Sequence, residues 1–449
     1  MADFEVVVPA SRLLSSAQFT SHVASTPPLP RPTPLSLTLA TPPTAIVLTS
    51  LEYLQLRSLL SYHHQTPFHS NMTEAIALSK NVHHLKVAAK SDGAIDLKLV
   101  QSHLKLIERK FQLNITNYEQ NMAQKHPHAQ AVREDADKSA ENEGDVPLTD
   151  QQDELWTGTI SYGGQPINID FDTGSTDTLV NVGAYIPGDG AKKTSQTFKA
   201  RYGDGTTAEG TVYTDTLEIG GLAPVPNVAI GLATTTFLKT ESGSQGISGL
   251  AYPSLSHFGK DHPPFFDCLV TAKAVARPLF SFALSSEPGQ SELVLGSISS
   301  KAAGPATYVN VDRSVGFWQC APGSCSINGI QISAIIDSGT TLIVGKPTQV
   351  AQLLESLPGV KTETQNGVTY GYLTTSVVPQ ITFQLGEKQV VLTEDATTYG
   401  TDDSGRKVLS IVGRDIGVEG WIVGDPLFRS SVIIFDRGND TIGFADRLA

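Results

Sequence analysis

Two short segments of the chain share a pattern that could carry out acid–base chemistry. Each has an apolar run, then an aspartate, a hydroxyl residue, a glycine and two more hydroxyl residues, and the segments begin at Phe171 and Ile336. Their aspartates, Asp172 and Asp337, lie 165 residues apart, about the length of one domain. Two neighbouring carboxylates cannot both ionise cheaply, so they share a proton and can act as a paired acid and base. The repeat therefore predicts two similar lobes that each supply one carboxylate to a shared site.

The triplet of aspartate, hydroxyl residue and glycine is weak evidence alone, because it recurs at Asp403 in a polar stretch with no apolar strand before it. We interpret that copy as a surface turn. Before Asp172, by contrast, apolar and polar residues alternate, and Ala334–Ile336 leads into Asp337. An acid at the end of a buried strand is costly unless something uses or satisfies it. We therefore favour a functional pair over two simple turn acids.

The elements that must position this pair are short strands. From about residue 152 to the end, alternating or apolar runs are separated by Gly, Pro, Asn and Asp turns, which predicts an all-β body. A body of about 300 residues is too long for a single core and so favours two lobes. Gly249 and Gly424 each follow a short apolar stretch, at similar distances after Asp172 and Asp337. This is a second sequence pattern that the two halves share.

The region before the body differs in composition. Residues 20–45 are rich in Pro, Ser and Thr and are predicted to be a linker. A helix is predicted over 94–123, with an apolar stripe from Leu97 to Phe111. Residues 80–110 carry seven Lys or Arg against three acids, and residues 124–150 are predicted to be an exposed linker.

Bulk properties exclude several functions. The net charge is −13 and there is no basic stripe, so no nucleic-acid partner is expected. No apolar run approaches the length of about 18 residues that spans a bilayer, and the first residues lack a signal-peptide pattern. No metal or phosphate motif is present, so no metal and no cofactor are expected.

Cys320 and Cys325 could close a small disulfide loop, with two reduced core thiols as the alternative.

Residues 150–449 resemble the pepsin family of aspartic endopeptidases, and the fungal members most closely. The resemblance depends on several motifs in order. They are Asp172-Thr173-Gly174-Ser175, Tyr202-Gly203-Asp204-Gly205, Gly249-Leu250-Ala251-Tyr252-Pro253, Phe280-Ser281-Phe282-Ala283-Leu284, Asp337-Ser338-Gly339-Thr340, and Ile422-Val423-Gly424-Asp425 with Phe435-Asp436-Arg437.

The resemblance implies an all-β, two-lobed acid protease fold with the active-site cleft between the lobes, preceded by a partly helical leader. It also implies an aspartic endopeptidase with an acidic optimum and a preference for large apolar residues, in which Asp172 and Asp337 hold one water. The implied support for this dyad comes from both loops, with Thr173 and Ser338 locking the turns together, Ser175 and Thr340 donating hydrogen bonds to the carboxylates, and Gly174 and Gly339 completing the motifs.

For substrate binding, the resemblance implies a flap that carries Tyr202, Gly203 and Asp204, with Asp204 allowing Lys before the scissile bond. Leu238 and Ile247 are the implied walls of the main apolar pocket. One position departs from the family, because Leu179 stands where a Trp usually supports the flap tyrosine.

The implied organisation is a leader over 1–75, a propeptide-like segment over 76–147, an N-terminal lobe over 148–305 and a C-terminal lobe over 306–449. The basic segment would act as an intramolecular inhibitor, and Lys98, Lys110 or Lys125 could pair with the dyad. The alternative for this segment is the solvated helix of an unrelated leader domain.

The expected partners are protein and peptide substrates and pepstatin-type inhibitors of a monomer, secreted or vacuolar like its family. The alternative function is that of a catalytically inactive relative that only binds peptides or proteins.

Overall fold

The computed structural model describes residues 6–9, 45–48, 74–80, 94–129, 156–201, 207–238, 243–287 and 289–448. The chain divides into two compact units, Met1–Ser70 and Asn71–Ala449. In the first unit, β1 (Val6–Pro9) pairs antiparallel with β2 (Ala45–Leu48). The predicted linker over 20–45 and most of the predicted linker over 124–150 lie outside the described residues.

The second unit begins with a strand and one long helix. Strand β3 (Glu74–Lys80) is followed by helix α1 (Leu97–Met122), which contains neither Gly nor Pro. Asp96 caps the helix, since its side chain accepts a hydrogen bond from the Lys98 N–H at 2.9 Å. The helix ends where Ala123 takes a left-handed conformation. A helix therefore occupies the stretch where the apolar stripe predicted one.

The largest sheet has 13 strands and contains most of the first half of the body. Besides β3, its strands are β4 (Trp156–Tyr162), β5 (Gln165–Asp172), β6 (Thr178–Val180), β7 (Lys192–Arg201), β8 (Thr207–Ile219), β9 (Val225–Ala233), β10 (Gly246–Gly249), β11 (Leu279–Ala283), β12 (Ser291–Leu295), β13 (Ala302–Asn310), β25 (Val432–Asp436) and β26 (Thr441–Arg447). The central order of the sheet is β12-β3-β4-β5-β10-β6-β9-β8-β7. Two short helical elements lie beside it, a 3-10 turn (Pro253–Leu255) and α2 (Phe265–Thr271).

The second half of the body forms two further sheets. The larger contains β16 (Ala334–Ile336), β17 (Ile343–Gly345), β18 (Val360–Gln365), β19 (Val368–Leu373), β22 (Thr398–Thr401), β23 (Lys407–Gly413) and β24 (Trp421–Val423). The smaller contains β14 (Cys325–Ile327), β15 (Ile330–Ile332), β20 (Thr382–Leu385) and β21 (Lys388–Val391). The helical elements here are a 3-10 turn (Arg313–Val315), α3 (Pro347–Ser356), α4 (Glu394–Thr397) and α5 (Asp425–Phe428).

The two halves repeat one strand arrangement. In the first half, β10 runs parallel to β5 and antiparallel to β6, and β6 runs parallel to β9. In the second half, β24 runs parallel to β16 and antiparallel to β17, and β17 runs parallel to β23. In both halves the first strand of the set leads directly into an aspartate of the repeated motif. The repetition seen in the sequence is therefore a repetition of topology.

Gly249 and Gly424, the glycines of the second shared pattern, lie where one strand approaches the backbone after an aspartate loop most closely. A Cβ on Gly249 would lie 2.3 Å from the backbone nitrogen of Thr176. On Gly424 it would overlap the carbonyl oxygen of Thr340. Each glycine thus lets one strand pass against the backbone that follows the aspartate loop, as no larger residue could.

An aromatic cluster fills the core near the junction of the halves. The Phe280 and Phe435 rings stack at 5.0 Å, and Trp318 meets Phe435 at 5.1 Å. The predicted all-β body with two repeated halves is confirmed, whereas the boundaries placed at residues 75, 147 and 305 stay predictions. Within the described ranges, no helix combines the length and apolarity that crossing a membrane requires.

Candidate active site

The two repeated aspartates meet in one buried place. Asp172 ends β5, and Asp337 follows β16 directly. Both side chains are almost completely buried, with 2% and 0% of their residue surface exposed. Within its own loop, each carboxylate accepts a backbone hydrogen bond, from the Gly174 N–H at 2.8 Å and the Gly339 N–H at 3.1 Å. Each loop therefore fixes the orientation of its own acid.

The glycine of each loop faces the acid of the other loop. A Cβ on Gly174 would lie 2.3 Å from Asp337 Oδ1, and one on Gly339 would lie 2.3 Å from Asp172 Oδ1. Any side chain at either position would collide with the opposite carboxylate. The glycines are thus required by the close approach of the two acids rather than by an unusual backbone conformation.

The hydroxyl residues after the aspartates connect the two loops. Thr173 Oγ1 donates to the Ile336 carbonyl at 2.9 Å and accepts from the Ser338 N–H at 2.9 Å. Ser338 Oγ donates to the Phe171 carbonyl at 2.7 Å and accepts from the Thr173 N–H at 3.0 Å. These four buried bonds form a reciprocal set across the lobe boundary, so neither loop can shift without the other.

The next hydroxyl residues differ between the loops. Thr340 Oγ1 donates to Asp337 Oδ2 at 2.6 Å. Ser175 Oγ is buried and makes no hydrogen bond of standard geometry with any residue that the structure describes, although its proximity favours the ionised form of Asp172. The two carboxylates therefore lie in similar but unequal surroundings.

A cation from helix α1 lies between the two carboxylates. Lys110 Nζ is 3.2 and 3.4 Å from the oxygens of Asp172, and 3.1 and 2.8 Å from those of Asp337. The lysine side chain itself is 19% exposed. One ammonium group thus contacts all four carboxylate oxygens and neutralises half of their combined charge when both are ionised.

Burial and charge move the pKa values of these groups in different directions. Burial disfavours the charged form of Lys110, but the two carboxylates outweigh it and hold its pKa above the ordinary value. Burial also raises the pKa of Asp172, yet Lys110 and local hydrogen bonds bring it below the ordinary value. For Asp337, burial and then the charge of Asp172 outweigh Lys110 and raise its pKa. The pair therefore titrates as an acid of low pKa beside one of high pKa.

A sequence model of the family described as eukaryotic aspartyl protease matches residues 156–447, which contain both aspartate loops. The chain belongs to this family. Secreted aspartyl protease 1 of Malassezia globosa is 35% identical over 82% of this chain and 92% of its own length. Pepsin A of Bos taurus is 32% identical over 67% of this chain and 86% of its own length.

The comparison with solved structures agrees on the fold. The aspartic proteinase of Irpex lacteus superimposes with a TM-score of 0.54 over 65% of this chain and 94% of its own chain, at 20% sequence identity. At that identity the likeness concerns the fold. Taken with the family match and the named relatives, the chain is an aspartic-type endopeptidase.

Helix α1 of this aspartyl protease docks through a row of polar side chains as well as its apolar stripe. The Asn114 amide donates to the Gly174 carbonyl at 2.7 Å, inside the first aspartate loop. His103 Nε2 lies 3.1 Å from Thr341 Oγ1, beside the second loop. Residues 103, 110, 114, 117 and 121 form this row. Such a row at helical spacing is a signal that the sequence analysis missed.

Of the three lysines that could have paired with the dyad, Lys110 is the one that reaches it. Lys98 is exposed at the start of the helix. The Lys125 side chain is 89% exposed and pairs with Glu119. The helical phase decides among them, because Lys110 lies between Ile107 and Asn114 on the buried side.

The remaining predicted residues have different outcomes. Tyr202, Gly203 and Asp204 lie outside the described residues. Leu238 and Ile247 are partly buried, and both pack against the same apolar cluster, so their role as pocket walls stays a prediction.

The predicted disulfide concerns two buried cysteines. Cys320 and Cys325 are free thiols in the structure. A hydrogen bond between them raises the pKa of Cys320 and lowers that of Cys325, so the thiols lie within reach of each other. The disulfide stays a prediction.

The reciprocal bonds of Thr173 make a prediction about stability. Replacing it by Val keeps its shape but leaves the Ile336 carbonyl and the Ser338 N–H without this partner inside the protein, so we expect a loss of roughly 2–4 kcal/mol in the free energy of unfolding. Urea denaturation followed by tryptophan fluorescence measures it. Thr173→Ser, which keeps the hydroxyl, is the control, and equal stability of the two variants would contradict the assignment.

Proposed function

We propose that the chain is the precursor of an aspartic endopeptidase whose Asp172 and Asp337 activate one water, and that helix α1 holds it inactive. One observation carries this proposal. Lys110 Nζ lies within 3.4 Å of all four carboxylate oxygens, which identifies a single position that both acids address. A water at that position would meet the geometric requirement for general acid–base catalysis by both carboxylates.

The proposed reaction divides one proton between the acids. With a single proton on the pair, the ionised carboxylate takes a proton from the water as the water oxygen attacks the peptide carbonyl carbon. The protonated carboxyl donates to the carbonyl oxygen, which gives a neutral tetrahedral diol. Proton return to the amide nitrogen then lets the C–N bond break and releases an amine and an acid. The loop hydrogen bonds keep the carboxylates oriented throughout.

An acidic optimum follows from the same electrostatics. Two buried carboxyl groups disfavour double ionisation, so the pair holds one proton up to a higher pH than an isolated aspartate would. Activity is expected to decline as rising pH removes this proton. It is expected to decline again at very low pH, when both groups are protonated.

The expected substrates are proteins, cleaved beside large apolar residues, with pepstatin as inhibitor and a monomer as the active form. Secretion is proposed because a relative with 35% identity over 82% of this chain is named as a secreted aspartyl protease. The inhibitory role of α1 is supported by its position, since Lys110 and Asn114 contact the dyad and its loop, where a substrate would have to bind.

The dyad proposal is tested by proteolysis. After the leader has been removed, we expect hydrolysis of denatured haemoglobin below about pH 5, and Asp172→Asn or Asp337→Asn should lower the rate at least 1,000-fold. Asp403→Asn, in the surface copy of the motif, is the matched control and should leave the rate unchanged. Full activity in either dyad variant, or resistance to pepstatin, would contradict the proposal.

The inhibitory role is tested by replacing Lys110. In the intact precursor, Lys110→Met leaves the two carboxylates without their cation, which weakens docking of the helix. We expect the intact variant to bind pepstatin at least tenfold more tightly than the unaltered precursor, measured by calorimetry at pH 6. Lys98→Met makes the same change on the exposed side of the helix and should have no effect. Equal pepstatin affinity for the Lys110 variant would refute the assignment.

A histidine after α1 makes docking sensitive to acid. His126 is 2% exposed, and its Nε2 lies 2.8 Å from the Val315 carbonyl, so this nitrogen carries the hydrogen. Its Nδ1 accepts a hydrogen bond from the His128 N–H at 3.1 Å. Protonation of Nδ1 would break this bond, because both groups would then be donors. Burial lowers the pKa of His126 accordingly. The charged or titratable groups around this pair of histidines are Glu119, Asp312, Lys346 and Glu419.

The sign of the pH effect follows from this lowered pKa. The undocked ring takes up a proton near its ordinary pKa of about 6.5, so docking is strongest above that pH and weakens as pH falls through the lower docked pKa. His126→Gln offers both hydrogen bonds without titrating. We expect it to move the midpoint pH of pepstatin binding by the precursor downward by about half a unit or more. His262→Gln, at a histidine outside this pair, serves as the control, and an unchanged midpoint for His126→Gln would contradict the mechanism.

A further inference from the structure

Two motifs that lie far apart in the sequence meet at Arg437. This arginine follows β25, near the end of the chain, and its guanidinium stacks on the ring of Tyr252, with 4.0 Å between Cζ and the ring centroid. Its Nη2 donates to the Ala251 carbonyl at 2.9 Å and to Asp267 Oδ2, on α2, at 3.1 Å. One side chain from the second half of the body thus holds residues 251 and 252 of the first half.

The segment that Arg437 holds is bonded directly to the first aspartate loop. The Leu250 N–H donates to the backbone carbonyl of Asp172 at 2.9 Å. The Ala251 N–H donates to the Ser175 carbonyl at 2.8 Å. A movement of this segment would therefore move the backbone that carries the Asp172 carboxylate.

Trp318 connects the same segment to the second aspartate loop. Its Nε1 donates to the Leu250 carbonyl at 2.9 Å. Its backbone carbonyl accepts a hydrogen bond at 3.0 Å from the N–H of Ile336, the residue before Asp337. The Trp318 ring lies 5.2 Å from Cζ of Arg437. The arginine therefore lies against two rings, and hydrogen bonds join the segments of these rings to the two loops.

The site of Arg437 suits the shape of a guanidinium as well as its charge. The side chain is 10% exposed, so most of it is removed from water. Its Nε and Nη1 are buried and make no hydrogen bond to any residue that the structure describes. A planar guanidinium can stack on aromatic rings while its edge donates hydrogen bonds, whereas the ammonium of a lysine offers a point charge only.

We propose that Arg437 is a positioning residue for the reaction. By holding residues 250–252 against Trp318, it sets the distance between the carboxylates of Asp172 and Asp337. This inference rests on the proposed function, because it names what spaces the two acids of that same site. A residue that only stabilised the fold would leave this distance unchanged in the folded enzyme.

The test compares the unaltered chain with Arg437→Met, each made at full length, processed in acid and assayed on one fluorogenic peptide from about pH 2 to 7. Methionine removes the stacked plane and both hydrogen bonds. Carboxylates that lie about 1 Å further apart repel each other less, so the two apparent pKa values that limit kcat/KM should come closer by about one pH unit. We also expect kcat to fall roughly 10- to 100-fold, with KM changed less than about twofold.

Two milder variants keep the test decisive if Arg437→Met does not fold. Arg437→Lys keeps a charge beside Asp267 but loses the stacked plane, so both effects should be present and smaller. Trp318→Phe keeps a ring against Arg437 and removes the hydrogen bond to the Leu250 carbonyl. It should also bring the two apparent pKa values closer together.

A matched control comes from a second stacked arginine. Arg406 Cζ lies 3.9 Å from the centroid of the Tyr372 ring, and the guanidinium pairs with Asp402 and Glu363, each at 2.8 Å. Tyr372 is on β19, well removed from β16 in the sheet order. Arg406→Met should therefore lower the melting temperature and leave kcat and the pH profile unchanged.

The pH profile separates failure of this inference from failure of the proposed function. An unchanged spacing of the two apparent pKa values in folded Arg437 and Trp318 variants would overturn the inference, even if kcat fell, and would leave Arg437 a stabilising ion pair. Failure of the unaltered, processed enzyme to cleave haemoglobin would instead overturn the proposed function.

Discussion

The structure depends on the repulsion between two carboxylates buried where the lobes meet. Two ionised acids this close require a cation or a shared proton, because little solvent is present to screen them. Gly174 and Gly339 permit the close approach, and the reciprocal bonds of Thr173 and Ser338 prevent the loops from separating. The two carboxylates are therefore held close together by the hydrogen bonds of the loops around them.

In the structure, helix α1 meets that requirement. Its Lys110 supplies the cation, and its polar row and apolar stripe supply the packing that holds the cation in place. Two contacts that hold the helix weaken as the pH falls. The carboxylates that bind Lys110 lose their charge, and the buried His126 gains one. Under the proposed function, these contacts keep the protease inactive near neutral pH and weaken in acid, where it is proposed to work.

Much of the fold and the dyad could be predicted because their signals are local. The aspartate loops are recognised from a few consecutive residues, and the turns and alternating strands indicate an all-β body. The partner lysine could not be chosen from composition, because Lys110 differs from Lys98 chiefly in helical phase. The polar row of α1 was missed because its partners, Gly174 and Thr341 among them, lie in the aspartate loops, and only the fold brings them to the helix.

The most direct test of this account is amide hydrogen exchange of residues 97–122 in the intact chain at pH 7, corrected for intrinsic rates. A helix held across the cleft predicts slow exchange around Lys110, because these amides are helical and packed against both aspartate loops. It also predicts a large loss of that protection in Lys110→Met. Exchange at the rate of an unstructured peptide in the unaltered chain would contradict the claim that the two carboxylates and this helix form one unit.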